Sequence, residues 1–259
     1  MRKYTILTIM AVVATATIFV GCNKKNIEGA LLPTFEEYSF EQCDEGVANT
    51  VVLFQRIKNA DRSEALAIID TTNYRRTFAE RAIEEPATFN LDSIAKVIHS
   101  ELVVEGELSG MTCRISIEQL PTLVREGRVL CFETTYSIYL GGAHGYGTLN
   151  YDCYDIATGS LYDFNYLGED VWGDAVRTLV YDRIVELWED CVYDYISPDS
   201  LHIPESVRIT EDGILLVYQA DEIAPHVCGI ISIGLSDDEL AEMGVPLVWV
   251  KDFDVVECE

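Results

Sequence analysis

Between Met111 and Ile156 the hydrophobic positions recur with a period of two. Cys113, Ile115 and Ile117 alternate with polar residues, the pattern of a strand with one buried face. After the turn Arg125-Glu126-Gly127-Arg128, a second strand places Leu130, Phe132, Thr134, Tyr136, Ile138 and Leu140 on one face. Its other face carries Cys131, Glu133, Thr135, Ser137 and Tyr139. Gly141 to Gly145 interrupts this strand, Leu149 to Ile156 returns, and Thr158-Gly159-Ser160 forms the next turn. Elsewhere the spacing lengthens to three and four. Asp61-Arg62-Ser63 opens a helical stretch with Leu66, Ile69 and Phe78 inward, which Pro86 breaks. Asn90 then caps a helix in which Leu91, Ile94, Ile98 and Leu102 share a face. The clearest helix spans Asp170 to Cys191, with Val176, Leu179, Val180, Ile184, Leu187, Trp188 and Cys191 as its apolar stripe. Val47–Ile57, Val207–Ile209, Ile214–Tyr218 and Gly229–Leu235 read as further strands. The expected class is α+β, with mostly antiparallel sheet and helices packed on one face.

The first residues follow a different logic. Arg2 and Lys3 precede an uncharged, mostly apolar run from Tyr4 to Val20 that ends at Gly21-Cys22. That is the layout of a secretory signal. Phe19-Val20-Gly21-Cys22 resembles a lipobox, with Phe19 where Leu is usual, so Cys22 is the expected lipidation site. The competing reading is an uncleaved transmembrane stalk, since the run approaches the minimum spanning length. Acyl chains contribute about 0.8 kcal/mol per buried methylene, enough with more than one chain to hold a domain at a membrane. The organisation is therefore read as a signal peptide over 1–21, a tether over 22–36, an N-terminal α+β companion region over 37–110 and a C-terminal domain over 111–250. The expected location is the cell envelope, lipid-anchored, on a periplasmic or surface face, with contact to the membrane through the N-terminal lipid only.

Charge narrows the partners. Removing residues 1–21 takes away Arg2 and Lys3 and no acid, so 16 basic residues face 44 acidic ones and the net charge moves from −26 to −28. Nucleic acid is excluded as a partner, because neutralising phosphates needs clustered Lys and Arg. An acidic body suits solubility, divalent cations or the steering of a basic protein.

Seven cysteines remain besides Cys22: Cys43, Cys113, Cys131, Cys153, Cys191, Cys228 and Cys258. They contain no CxxC spacing. If the hairpin is centred near Gly142, Cys131 and Cys153 face each other and form a candidate cross-strand disulfide, which needs Cβ atoms about 3.8 Å apart. A slip of one residue would send them to opposite faces. Buried free thiols and one or two disulfides both fit the pattern.

The stretch Tyr139-Leu140-Gly141-Gly142-Ala143-His144-Gly145 is the first candidate for chemistry, as a ligand-binding loop or as a tight connection. His144 is its only titratable group; no metal-ligand spacing or cofactor motif accompanies it, and no catalytic residue is assigned. Glu222, Asp221 and His226 surround Pro225 either as a polar site or as a carboxylate that fixes a loop. Trp172, Trp188 and Trp249 are sugar-stacking candidates or core residues. Asp237-Asp238-Glu239 reads as a helix start capped by Ser236.

Two ordered blocks resemble a known family. YLGGAHGYGTLNYDCYDIATGSLYDFNYL is similar to the motif region of the RsiV-like extracellular domain, through Tyr139, Gly141, Gly142, His144, Gly145, Asp155, Thr158 and Gly159. ITEDGILLVYQADEIAPHVCGIISIGLSDDEL resembles its C-terminal block, through Asp212, Gly213, Glu222, Ile223, Ala224, Pro225 and Gly229. Together they cover about residues 110–243. The resemblance implies an α+β extracellular binding domain, as in an anti-sigma factor that senses lysozyme and beside some peptidoglycan deacetylase domains. Only three residues precede the apolar run, so neither sigma-factor signalling nor deacetylation is carried over. The expected function is a non-catalytic envelope lipoprotein binding a cell-wall glycan or a basic muralytic enzyme of lysozyme type, through Tyr139, Gly141, Gly142, His144, Gly145 and Glu222. The alternatives are an envelope hydrolase using His144 with Asp155 or Glu222, and a structural component of a surface assembly.

Replacing Cys22 with Ser is expected to release the protein from the membrane fraction of expressing cells. An unchanged membrane fraction would favour the uncleaved helix instead.

Overall fold

A computed structural model describes residues 30–78, 90–164, 173–192 and 196–250. Cys22, Cys258, Pro86 and Trp172 lie outside the described residues. The described chain opens with a hairpin of β1 (Phe35–Asp44) and β2 (Ala48–Ile57). Two helices follow, α1 (Glu64–Phe78) and α2 (Leu91–Ser109), and then the meander β3 (Cys113–Val124), β4 (Val129–Tyr139) and β5 (Tyr146–Asp155). These strands make one sheet in the order β1-β2-β3-β4-β5, antiparallel except where β2 and β3 run parallel. Two adjacent parallel strands require a long crossover, and α1 and α2 supply it. After α3 (Asp174–Val192) come β6 (Ser206–Ile209), β7 (Gly213–Tyr218) and β8 (Ile231–Ser236), an antiparallel sheet of three, and the short α4 (Asp237–Glu242).

The expected α+β class holds, and so does the face assignment along β4. Its even-numbered side chains join α1 and α2: Leu130 and Phe132 pack with Leu66, Ile69, Tyr154 and Ile156. Tyr136 and Ile138 pack against the core of Ala95, Ile98, Leu102, Ile115 and Ile117. Its odd side chains at the start, Val129 and Cys131, join instead a core formed by α3, α4 and the second sheet. Thus α1 and α2 cover one face of the large sheet, and the second sheet with its own helices covers part of the other.

Local chemistry explains the helix ends. Asn90 Oδ1 accepts the Ser93 N–H at 3.0 Å, as the sequence predicts, and Gly110 at φ 66° terminates α2. Ser236 and Glu239 form a reciprocal capping box at α4, and the Ser236 N–H, its hydroxyl and Arg183 hold the Glu239 carboxyl below its usual range. The stripe of α3 turns at Trp188, whose φ of −134° breaks the helix, and Leu187 is left exposed.

Three expectations need correction. The tether does not reach residue 36: Ala30, Leu31 and Leu32 already pack on the core and β1 starts at Phe35. β1 went unread because its residues are mostly exposed and carry no clean alternation. The division at 110/111 falls inside a single sheet, since Ala48–Leu53 of β2 pairs with Cys113–Glu118 of β3. Finally, Cys131 and Cys153 stand opposite each other in the register, yet both are free thiols. Cys131 Sγ donates to Ile209 O at 3.5 Å, and Cys153 Sγ accepts the Ile209 N–H at 3.3 Å. Burial pushes the Cys153 thiol well up, away from the thiolate that disulfide exchange requires. Among the described residues the disulfide is instead Cys191–Cys228, which joins the end of α3 to the segment before β8.

Two close contacts predict the cost of substitution. A Cβ at Gly106 of α2 would lie 2.3 Å from Val47 O. Alanine gains about 1 kcal/mol in helix propensity, but the clash with backbone outweighs it. Gly106→Ala is expected to lower stability in urea unfolding by about 1–2 kcal/mol. Arg125 is only 8% exposed, and both terminal nitrogens of its guanidinium bond to Asp237. Asp237→Ala leaves that charge without its carboxylate and should cost about 3 kcal/mol in the same measurement.

Candidate functional site

β4 and β5 bring Tyr139 to Gly145 to one end of the large sheet. Gly141 and Gly142 have φ of 92° and 105°, where side chains are strained. A Cβ on Gly141 would meet Met111 Sδ at 2.7 Å, and the Gly142 N–H donates to the same sulfur at 3.4 Å. Tyr139 OH donates to Gly142 O at 3.0 Å. The two glycines therefore let the loop fold back over Met111, next to the start of β3. This turn role is what those residues perform directly.

His144 projects from that loop into solvent. Its Nδ1 lies 3.3 Å from Gly145 O, and its ring packs on the ring of His226 with centroids 4.5 Å apart and a tilt of 32°. His226 Nδ1 lies 2.9 Å from Asp221 Oδ2, and Asp221 sits at φ 70°, a conformation Asp tolerates better than most residues. The GGAHG loop and the E-I-A-P turn, distant in sequence, thus meet through two histidines. The Cys191–Cys228 disulfide holds the His226 turn from behind.

Glu222 belongs to the architecture of this turn. Its Oε2 accepts the Gln219 N–H at 2.6 Å, and its Oε1 lies 2.8 Å from His202 Nε2. Gln219 then clasps β5, accepting the Leu149 N–H at 3.0 Å and donating to Leu149 O at 2.9 Å. Below it, Tyr218 OH donates to His202 O, and burial raises the Tyr218 hydroxyl far above its ordinary range. Nothing in the sequence distinguished Gln219 or His202; their role follows from packing.

Asp155 is at the other end of β5. Its carboxylate accepts the N–H groups of Ala157 and Thr158 at 2.7 and 3.1 Å, making D-x-x-T-G a tight turn. Among the described residues neither Asp155 nor Glu222 hydrogen-bonds His144, so the arrangement needed for His144 with either carboxylate as an acid–base pair is not formed. Trp249 is buried, donating to Asp237 Oδ1 at 3.0 Å, and cannot stack on a sugar. Trp188 is partly buried against the same core. Among the described residues no three His, Cys, Asp or Glu side chains gather as metal ligands, and no helix is long and apolar enough to cross a membrane.

Two surface features surround the loop. Leu140, Tyr146, Met111 and Val227 are large apolar residues left exposed, Val227 at 91%. Beside them, on the sheet face opposite α2, is an open groove of about 580 Å³. Asn49, Arg114, Ser116, Ser137 and Tyr139 line it, with Gly145 and Gly147 along its β5 side. Strand alternation places these residues outward, and the pairing of β2, β3, β4 and β5 brings them side by side as a groove that the second sheet leaves uncovered.

No protein-family profile and no curated protein matches the chain by sequence. Solved structures do match by shape. One is a member of the DUF3298 family from Bacteroides fragilis NCTC 9343, with a TM-score of 0.62 and 17% identity over 85% of this chain and 95% of that one. Another is a DUF3298 family protein from Pseudomonas aeruginosa PAO1, with a TM-score of 0.57 and 16% identity over 81% of this chain and 93% of that one. At such identities the likeness is one of architecture: the chain has the α+β fold of these DUF3298 family proteins.

Proposed function

We propose that this chain is a non-catalytic binding protein of the bacterial cell envelope, tethered through lipid on Cys22, whose ligand is a basic muralytic enzyme of lysozyme type. The observation that carries this reading is the meeting of the GGAHG loop with the E-I-A-P turn at one exposed end of the sheet. Those are the two blocks through which the sequence resembles the RsiV-like extracellular domain. Their contact, exposed His144 on half-buried His226, lies among the exposed apolar residues Leu140, Tyr146 and Val227. Clustered exposed apolar residues with a polar rim are typical of a protein-binding surface.

The charge supports a basic ligand. A net charge of −28 after removal of residues 1–21 steers a cationic protein toward the surface and raises its association rate at low salt. The hydrolase reading has less support, because the two carboxylates it would use are held in turns by backbone N–H groups.

Hen lysozyme passed over immobilised protein lacking residues 1–22 is expected to be retained at low ionic strength and released at moderate salt. Val227→Asp, at the exposed rim, should weaken retention by about tenfold, as placing a charge in an apolar contact costs roughly 1–2 kcal/mol. Failure to retain lysozyme at low salt would sink this version of the function.

A further inference from the structure

The groove beside the loop shares Tyr146 with the capture surface but has a chemistry of its own on its floor. We propose that it binds an acidic saccharide, a sugar ring bearing a carboxylate, with Arg114 as the carboxylate ligand. In so acidic a protein, most cations near carboxylates are paired: Arg56 with Asp70, Arg76 with Asp152, Arg125 with Asp237 and Arg183 with Glu239. Arg114 is exposed on the groove and makes no ion pair among the described residues. Glu118 shares its strand face, but that carboxylate accepts the Ser116 hydroxyl at 2.6 Å. A guanidinium held free in this field is a local site for an anion, and its planar fork suits a carboxylate.

The remaining lining favours a sugar over a simple anion. Asn49 is opposite Arg114 in the parallel register, and its Oδ1 is buried without a hydrogen-bond partner. A turn of this amide toward the groove would let it take a sugar hydroxyl or acetamide N–H as its donor. Ser137 and Tyr139 add hydroxyl groups, and Tyr139 adds an aromatic surface. Gly145 and Gly147 carry no side chain over β5, and a Cβ at either would crowd a carbonyl of β4, at 2.8 and 3.3 Å respectively. The β5 side of the groove is therefore kept low by backbone geometry. From β2 to β5 the floor spans three inter-strand steps, about 14 Å in all, and it is open to solvent, a shape suited to a chain of rings.

The test is a chemical-shift titration of the protein lacking residues 1–22 with N-acetylmuramic acid, using N-acetylglucosamine as the matched sugar without the lactyl carboxylate. Saturable shifts at Arg114, Ser137 and Gly147 are expected with N-acetylmuramic acid, with N-acetylglucosamine at least about tenfold weaker, the effect of one charged hydrogen bond. Arg114→Gln should bring the acidic sugar down to the neutral one. Ser137→Phe, at an exposed position, should abolish both by filling the floor. Equal binding of the two sugars, or binding unchanged in Arg114→Gln, overturns the proposal. Trialanine binding where N-acetylmuramic acid does not also overturns it, in favour of a peptide C-terminus. Retention of lysozyme by the Arg114→Gln protein separates this groove from the capture surface.

Discussion

Arg125 holds the two sheets in place. It lies in the β3–β4 turn at φ 56°, and its buried guanidinium reaches Asp237 and Gly213 O of the second sheet and its helix. Its backbone N–H also donates to Glu211. A buried cation is tolerated only when paired and hydrogen-bonded, so these contacts fix one docking position rather than a range. Asp237 in turn starts α4 and accepts the indole N–H of Trp249, which spreads the same constraint into the largest core. The second sheet is thereby seated over the beginning of β4 and the end of β5. Cys131 and Cys153 disappear beneath β6, while Ser137, Tyr139 and Arg114 stay open.

That half-coverage decides which part of the sheet face stays open. The covered half of the sheet face is occupied by apolar side chains and by thiols bonded to the β6 backbone. The open half contains the groove and the loop. Around the loop, restraint comes from several parts together: a methionine under two glycines, a glutamine clasped to β5, and a covalent disulfide behind the His226 turn. Such preorganisation would lower the conformational cost of the binding proposed there. The carboxylates that looked chemical in isolation are instead consumed by this scaffolding.

Much of the fold was legible because burial on a single face leaves a periodic trace. The helix begun by Asn90, the alternation along β3 and β4 and the capped start of α4 all follow from local rules. The hairpin register was legible too, since Cys131 does face Cys153. What that register could not convey was oxidation state, because the partners of both sulfurs come from β6, more than fifty residues away. β1 escaped notice for the opposite reason. It is an exposed edge strand rich in Glu, with little burial to imprint a pattern.

The sequence by itself determined the α+β class, most of the elements, the acidic surface and the expectation of lipid on Cys22. It also singled out the two blocks that carry the candidate site. These properties are set by spacing along the chain and by composition. Tertiary structure alone decided that the blocks touch, that His144 packs on a histidine, and that Arg114 stands over a groove without an ion pair among the described residues. The first two depend on the docking of the second sheet and the third on the pairing of β2, β3 and β4, and contacts between distant segments leave no periodicity in a single sequence.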